Sequence, residues 1–247
     1  MIDTHLHLDD PTFDGIVDEV IDKMTLCGEC SDITASGQFV NIKLDGLFLR
    51  RPISVCDRDG DTLTIIYKVV GKGTQAMKEL ESGAVLDVLT GLGNGYDLEK
   101  SGSSPLLIGG GVGVPPMYLL AKKLLEQGKR VSVVLGFNTK SEVFYENEFK
   151  ALGCDVTVTT VDGSYGVKGF VTNAMDKDYT YFYCCGPEPM LKAVYKTSNT
   201  SGQFSFEERM GCGFGACMGC SCKTITGYKR ICKDGPVLEK EEILWED

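Results

Sequence analysis

Between residues 105 and 206 short apolar runs alternate with amphipathic ones, and this alternation restricts the fold more than anything else in the chain. PLLIGG, RVSVVLGF, CDVTVTT and DYTYFYC read as strands. PPMYLLAKKLLEQG, KSEVFYENEFKALG and the shorter GFVTNAMD lie between them with helical spacing, and PEPMLKAVYKTS precedes a last strand, QFSFEERM. Strand-helix-strand order of this kind closes only as a parallel sheet with helices on both faces. The expected fold class is therefore α/β, doubly wound, for this part of the chain.

Upstream, FVNIKL (39–44), TLTIIYKV (62–69) and AVLDVL (84–89) are strands with few helical stretches between them, which predicts a small antiparallel β-barrel or sandwich. KSGSSP (100–105) reads as a polar linker. Four zones follow: an atypical acidic lead (1–22), the barrel (23–100), the α/β domain (101–206) and a Gly- and Cys-rich C-terminal module (207–247). The lead holds seven of the 35 acids and no Lys or Arg, so it carries most of the net charge of −10. The rest is only mildly acidic, and nothing in it has the clustered Lys and Arg that nucleic acid requires. No apolar run approaches about 18 residues, so no membrane span is expected. The first residues lack a basic n-region and are not read as a signal peptide, which predicts a cytoplasmic protein with reduced thiols.

The eleven cysteines need another explanation than disulfides. Five fall within residues 212–232, in MGCGFGACMGCSC and RICKDGP. Cys212, Cys217 and Cys220 are spaced C-x4-C-x2-C, the plant-type ferredoxin pattern for a 2Fe–2S cluster, with Cys232 as the fourth candidate. Gly211, Gly213, Gly215 and Gly219 would let the backbone turn its N–H groups toward the sulfurs. A structural zinc site and a set of buried thiols are the alternatives; zinc usually takes paired C-x2-C knuckles, and one such pair is present. Cys222, one residue beyond Cys220, is too close to be an easy further ligand.

PLLIGG runs into GVGVPP and then a helix. A Gly-rich turn before a helix N-terminus favours a pyrophosphate, although the spacing is not G-x-G-x-x-G and alone is weak. VDGSYG (161–166) and CCGPEPM (184–190) follow the third and fourth strands, at the carboxyl edge where open parallel sheets bind ligands. Gly109, Gly110, Gly111, Gly113, Asp162 and Gly186 are the candidate nucleotide contacts. Cys185 is a candidate neighbour of a nicotinamide, or a buried small hydrophobe. In the barrel, LRRPISV (49–55) reads as the end of a strand whose Arg fork suits a diphosphate and whose Ser suits a flavin edge; a solvated arginine pair is the plainer reading. YKVVGKGT (67–74) combines a strand with a Gly-Lys-Gly-Thr turn.

Taken in order, GQFVNIKL, LRRPIS, YKVVGKGT, LGNGY, IGGGVGVPP, DGSYG, CGPEPM, SFEERMGCGFGACMGC and CKDGP resemble the ferredoxin–NADP reductase superfamily with a C-terminal iron–sulfur extension. Within it they are most similar to the electron-transfer subunits of dihydroorotate dehydrogenase B. The resemblance covers about residues 23 to 247. It implies FAD in the barrel, NAD on the parallel sheet and a 2Fe–2S cluster at the C-terminus. Arg51, Pro52, Ile53 and Ser54, then Tyr67, Lys68 and Val69, then Gly73 and Thr74 would bind FAD. Cys212, Cys217, Cys220 and Cys232 would hold the cluster. It also implies an FMN-containing catalytic subunit that oxidises dihydroorotate, a heterotetramer of two of each chain, electron flow through the cluster and FAD to NAD, and a place in UMP biosynthesis. The choice of NAD over NADP rests on the resemblance alone, because GFNTKSE after the second sheet strand has neither a clear Asp nor an Arg. The rivals are an equivalent subunit of a glutamate synthase-like or sulfide-oxidising complex, and a zinc-stabilised nucleotide-binding module.

The lead departs from this pattern. MIDTHLHLDD resembles the opening strand of amidohydrolase-type metal-dependent hydrolases, but His5 and His7 are the chain's two histidines and no later His completes a site. IVDEVIDKM has apolar residues at 16, 17, 20, 21 and 24, which is helical spacing. Ser36 stands where the family would usually place Pro, with little effect expected.

Overall fold

The computed structural model describes residues 2–6, 21–175 and 178–245, the first of these segments as backbone alone. Two sheets dominate. The first is antiparallel, in the order β6-β1-β2-β5-β4-β3-β7, with β1 Ile2–Leu6, β2 Ile21–Cys27, β3 Phe39–Ile42, β4 Arg51–Asp59, β5 Thr62–Lys68, β6 Val85–Leu86 and β7 Val88–Leu92. Its two outermost strands, β6 and β7, are separated in sequence by Asp87 alone. Their adjacency in sequence forces the sheet to curl until its edges meet, which makes it the expected barrel. Arg50 fixes this closure, donating to both carboxylate oxygens of Asp87 at 3.0 and 2.8 Å and to its carbonyl at 2.9 Å.

The start of the barrel differs from expectation. Ile2–Leu6 pairs antiparallel with β2 and β6, so part of the lead takes a place in the sheet. The helical spacing over 16–24 does not extend into its described end: Ile21–Cys27 is a strand. Its buried positions alternate, Asp22, Met24 and Leu26, and the period of two was hidden because one inward residue is an acid. Asp22 accepts a hydrogen bond from the Tyr67 hydroxyl at 2.8 Å inside the barrel. His7 and residues 8–20 lie outside the described residues.

The second sheet is the parallel one. Its strands are β8 Pro105–Gly110, β9 Ser132–Phe137, β10 Asp155–Thr160, β11 Val167–Lys168, β12 Tyr181–Cys185, β13 Gly202–Ser205 and β16 Val237–Glu239. Their order is β11-β10-β9-β8-β12-β13-β16, parallel except for β16. The chain winds outward from β8 through β9 and β10 on one side and through β12 and β13 on the other, so the winding reverses between β8 and β12, the point where ligands of doubly wound sheets bind. Helices α2 Pro115–Glu126, α3 Glu146–Leu152 and α4 Glu188–Thr197 connect the strands. The helix expected across 140–153 is confined to α3. Tyr145, just before it, takes φ 64°, and its ring lies in the core 5.1 Å from that of Tyr118. The expected linker is also structured: Leu98–Ser101 forms a 3-10 turn with Ser101 buried.

Helix α2 joins the domains. Met117, Leu120, Ala121 and Leu124 recur at helical spacing and bury against the parallel sheet in a core that also holds Cys56 and Ile66 of the barrel. Leu119 faces the other way, into the barrel core with Val55, Ile65 and Met77. Full burial of each such side chain contributes roughly 1.5–3 kcal/mol. Lys122 donates to both oxygens of Asp57 in β4, at 2.8 and 2.9 Å.

The C-terminal module contains a hairpin of β14 Ser221–Thr224 and β15 Gly227–Arg230. It then returns to the parallel sheet, where β16 pairs antiparallel with β13.

Candidate electron-transfer site

Strand β4 opens on Arg51 and does not end there, contrary to the sequence reading, because the hairpin loop from β3 extends to Arg50. The consequence is geometric. Pairing of β4 with β5 stops at Val55–Ile65. Beyond it Arg51–Ser54 pairs only with β3 on the far side, and Tyr67–Lys68 only with β2. The two segments expected to bind FAD thus face each other across a gap where their shared ladder has ended. Backbone groups along such a gap are available to a planar ring system.

The third expected segment closes on the first. A Cβ on Gly73 would lie 1.8 Å from Arg51 Nε, so the guanidinium rests directly on that glycine. The double arginine divides its work: Arg50 is committed to Asp87, whereas Arg51 donates to the carbonyl of Leu49 at 2.6 Å. The Gly-Lys-Gly-Thr segment is the start of helix α1 Lys72–Lys78 and not a plain turn. The Thr74 hydroxyl accepts the N–H groups of Val70 at 2.9 Å and Gly71 at 3.2 Å, shaping the turn. The Tyr67 ring is buried in the barrel, and its hydroxyl is held protonated by burial and by Asp22. What Tyr67 offers the gap is its backbone.

At the switch point of the parallel sheet, Gly109–Gly113 leads into α2, with Pro115 at its first position. The turn is pressed against the end of β12. A Cβ on Gly113 would meet the Cys185 carbonyl oxygen at 2.2 Å, and one on Gly110 would meet Met190 Sδ at 2.4 Å. A Cβ on Gly186 would meet the same methionine, at 2.5 Å from its Cε. The glycines of two separate motifs therefore form one surface. Burial pushes the Cys185 thiol up to about 12, against a hydrogen bond to Ser205, so it is a neutral thiol at physiological pH. Asp162 sits apart on the exposed end of β10, where Ser164 donates to it through N–H and Oγ at 2.9 and 2.6 Å and lowers its pKa.

The four motif cysteines gather into two pairs. Cys217 lies close enough to Cys212, and Cys220 close enough to Cys232, for each to perturb its neighbour's ionisation. Among the described residues no three Cys, His or carboxylate groups surround a single point. Two thiol pairs fit a two-iron cluster, in which each iron takes two thiolates, better than one tetrahedral ion. Burial opposes ionisation of Cys212, but the N–H groups of Phe214, Cys217 and Ala216 point at its sulfur and hold its pKa at about 6. The Ala216 bond measures 3.2 Å. The Cys232 N–H likewise donates to Cys220 Sγ, at 3.4 Å. Arg230 braces the loop, donating to the Gly215 carbonyl at 2.7 Å while paired with Asp234. Cys222 instead lines a cleft of about 490 Å³ with Glu188, Lys192, Phe206 and Trp245.

Sequence reasoning missed Asn41 and Asn94. Asn94, in the LGNGY segment, exchanges hydrogen bonds with the backbone of Val237 at 2.8 and 3.1 Å and so pins β16 to the barrel. Asn41, buried in β3, donates from Nδ2 to the Cys212 carbonyl at 3.3 Å. A polar residue inside the apolar run FVNIKL was the available signal.

Fold and site together define an NAD-linked oxidoreductase with a ferredoxin–NADP reductase-like fold, carrying FAD and an iron–sulfur module. Residues 207–244 match the iron-sulfur cluster binding domain of dihydroorotate dehydrogenase B, and residues 107–196 match the oxidoreductase NAD-binding domain. The chain belongs to the family of electron transfer subunits of dihydroorotate dehydrogenase B (NAD(+)). It is 45% identical over 236 residues to the family's protein from Bacillus pumilus, covering 90% of this chain and 91% of that one. Identity to the Fusobacterium nucleatum protein is 48% over 218 residues, covering 81% and 83%. A solved NADH-dependent reduced ferredoxin-NADP oxidoreductase, studied for flavin-based electron bifurcation, superposes with a TM-score of 0.83 at 31% identity over 96% of this chain and 92% of that one.

Proposed function

We propose that this chain relays electrons from a dihydroorotate-oxidising, FMN-containing subunit to NAD, in a cytoplasmic heterotetramer of two of each chain that serves UMP synthesis. The observation that carries this reading is the packing of the paired-thiol loop against β3, next to the strand Arg51–Ser54. Two paired strands, β3 and the start of β4, thus lie between the cluster ligands and the flavin gap. When bound, the cluster passes single electrons and the flavin converts them into a hydride for NAD.

The residues have distinct tasks in this reading. Cys212 and Cys217 ligate one iron, Cys220 and Cys232 the other, and the N–H groups around Cys212 favour its thiolate. Arg51, resting on Gly73, binds the FAD diphosphate. Pro52, Ile53 and Ser54 and the backbone of Tyr67, Lys68 and Val69 line the isoalloxazine gap, with Thr74 shaping its far end. Gly109, Gly110, Gly111 and Gly113 admit the NAD pyrophosphate to the α2 N-terminus, with Asp162 and Gly186 on the same sheet edge. The neutral Cys185 thiol lines the nicotinamide end without donating a charge to it. Phe214 and Met218 on the cysteine loop are more than half exposed, and Met218 holds a left-handed backbone at φ 60°. An apolar, strained loop beside the cluster suits docking of the catalytic subunit.

The test is reconstitution. The pure chain should contain about one FAD and two irons per polypeptide, and with an FMN subunit should reduce NAD at the expense of dihydroorotate. A colourless, zinc-containing protein would favour the nucleotide-binding module instead. Coloured protein that reduces NAD from another donor would place the chain in a different redox complex.

A further inference from the structure

Strand β3 is buried on both faces. Val40 and Ile42 point into the barrel core. Phe39 points the other way, into the core that holds Cys220 and Cys232. Asn41 shares Phe39's face by the period of two, and is 1% exposed. Its cross-strand partner is Pro52, within the flavin-facing segment. Its Nδ2 donates to the Cys212 carbonyl, while its Oδ1 is buried with no partner. Gly213, the next residue of the loop, takes φ +80°, and a Cβ there would meet Asn41 Nδ2 at 2.2 Å. A buried amide with one unmet acceptor is costly. Its orientation is set by the one bond it does make, since a flipped amide would place oxygen against oxygen.

We propose that Asn41 is a positioning residue that seats the Cys212–Gly213 stretch on β3, the strand paired with the flavin-facing Arg51–Ser54, and raises the potential of the cluster held by that loop. The inference rests on the reading of Cys212 as a cluster ligand. Reduction adds negative charge to the cluster, and an N–H donor drawing charge from the ligand's own peptide favours the reduced form. Asn41 also fixes how far the loop stands from Arg51–Ser54.

Asn41→Asp keeps the shape and removes the donor; Asn41→Leu removes all polarity; Gly213→Ala pushes the loop away from the other side. Each is made in the full chain with reconstituted iron, sulfide and FAD. The midpoint potential is read by EPR-monitored titration, and amide hydrogen exchange is read over 212–216 in metal-free protein. We expect a lower potential in all three, and loop exchange faster by up to about 10-fold, the weight of one hydrogen bond. Asn41→Leu combined with Gly213→Ala should add little to either alone. Unchanged potential and unchanged exchange in variants with full iron would overturn the proposal. Where a variant fails to take up iron, the metal-free exchange decides: acceleration supports the seat, wild-type rates refute it. If the wild-type chain takes up no 2Fe–2S cluster, the ligand reading fails instead, and the exchange data still report on the seat.

Discussion

Single residues carry the cofactor chemistry in this chain, and their substitutions should separate ligands from neighbours. Cys217→Ser should abolish the visible absorbance of the cluster, whereas Cys222→Ser, altering a thiol that lines a separate cleft, should keep most of it. Equal loss in both would mean the ligand set is wrong. Gly73→Ala must displace the Arg51 guanidinium, which stands where the new methyl would go. The flavin-to-protein ratio after gel filtration should fall in that variant, and in Arg51→Ala, while the far-ultraviolet dichroism is unchanged. Ser36 is a different case. Its hydroxyl is fully buried and unpartnered, so Ser36→Ala should stabilise by about 1 kcal/mol. That corresponds to a melting temperature higher by roughly 2–4 °C in a chain of this size.

At the level of elements, the parallel half was readable because its signals are local. Apolar runs, helical spacing and Pro-marked helix starts each lie within a few residues, and PLLIGG, PPMYLLAKKLLEQ and PEPMLKAVYKT appear close to where they were expected. The barrel start was not readable, because β2 turns Asp22 inward to meet Tyr67, 45 residues away. No local pattern records such a partner. The same applies to Asn41 and Asn94, whose partners lie far along the chain. The cysteine motif gave the candidate ligands but not how they gather. Glu239 shows what such distant contacts contribute. On β16, it accepts from Lys100 at 2.7 Å, Gln203 at 2.7 Å and Tyr181 at 2.8 Å. Burial opposes its charge, yet these donors hold its pKa below the ordinary 4.5. A carboxylate with a lowered native pKa contributes its full stability above the unfolded value and loses it as pH falls through the native one. Glu239→Gln should therefore destabilise by roughly 2 kcal/mol at pH 7, and the difference from wild type should shrink as urea melts are taken to lower pH below 4.5.

For the whole molecule, α2 and its neighbours make one body of two domains. Cys56 and Ile66 of the barrel share a core with α2 and the parallel sheet, so neither domain can open without exposing the other. Calorimetry should show one main transition for the two. Leu119→Ala, which empties a helix position facing the barrel core, should lower stability by about 3 kcal/mol without splitting that transition. Two separate peaks would show that the shared core is too weak to couple them.

The return of β16 to the parallel sheet alters what kind of unit the cysteine module is. Ser205 and Val237 are cross-strand partners, and the Phe206 N–H donates to the Pro236 carbonyl at 2.9 Å. Residues 206–236 thus leave and re-enter the reductase at one point, as an insertion and not a tail. An inserted cassette with touching ends can be exchanged for another without breaking the host sheet. A short hairpin in its place should leave a flavoprotein that still folds and still meets NAD, but has lost its electrical contact with any partner.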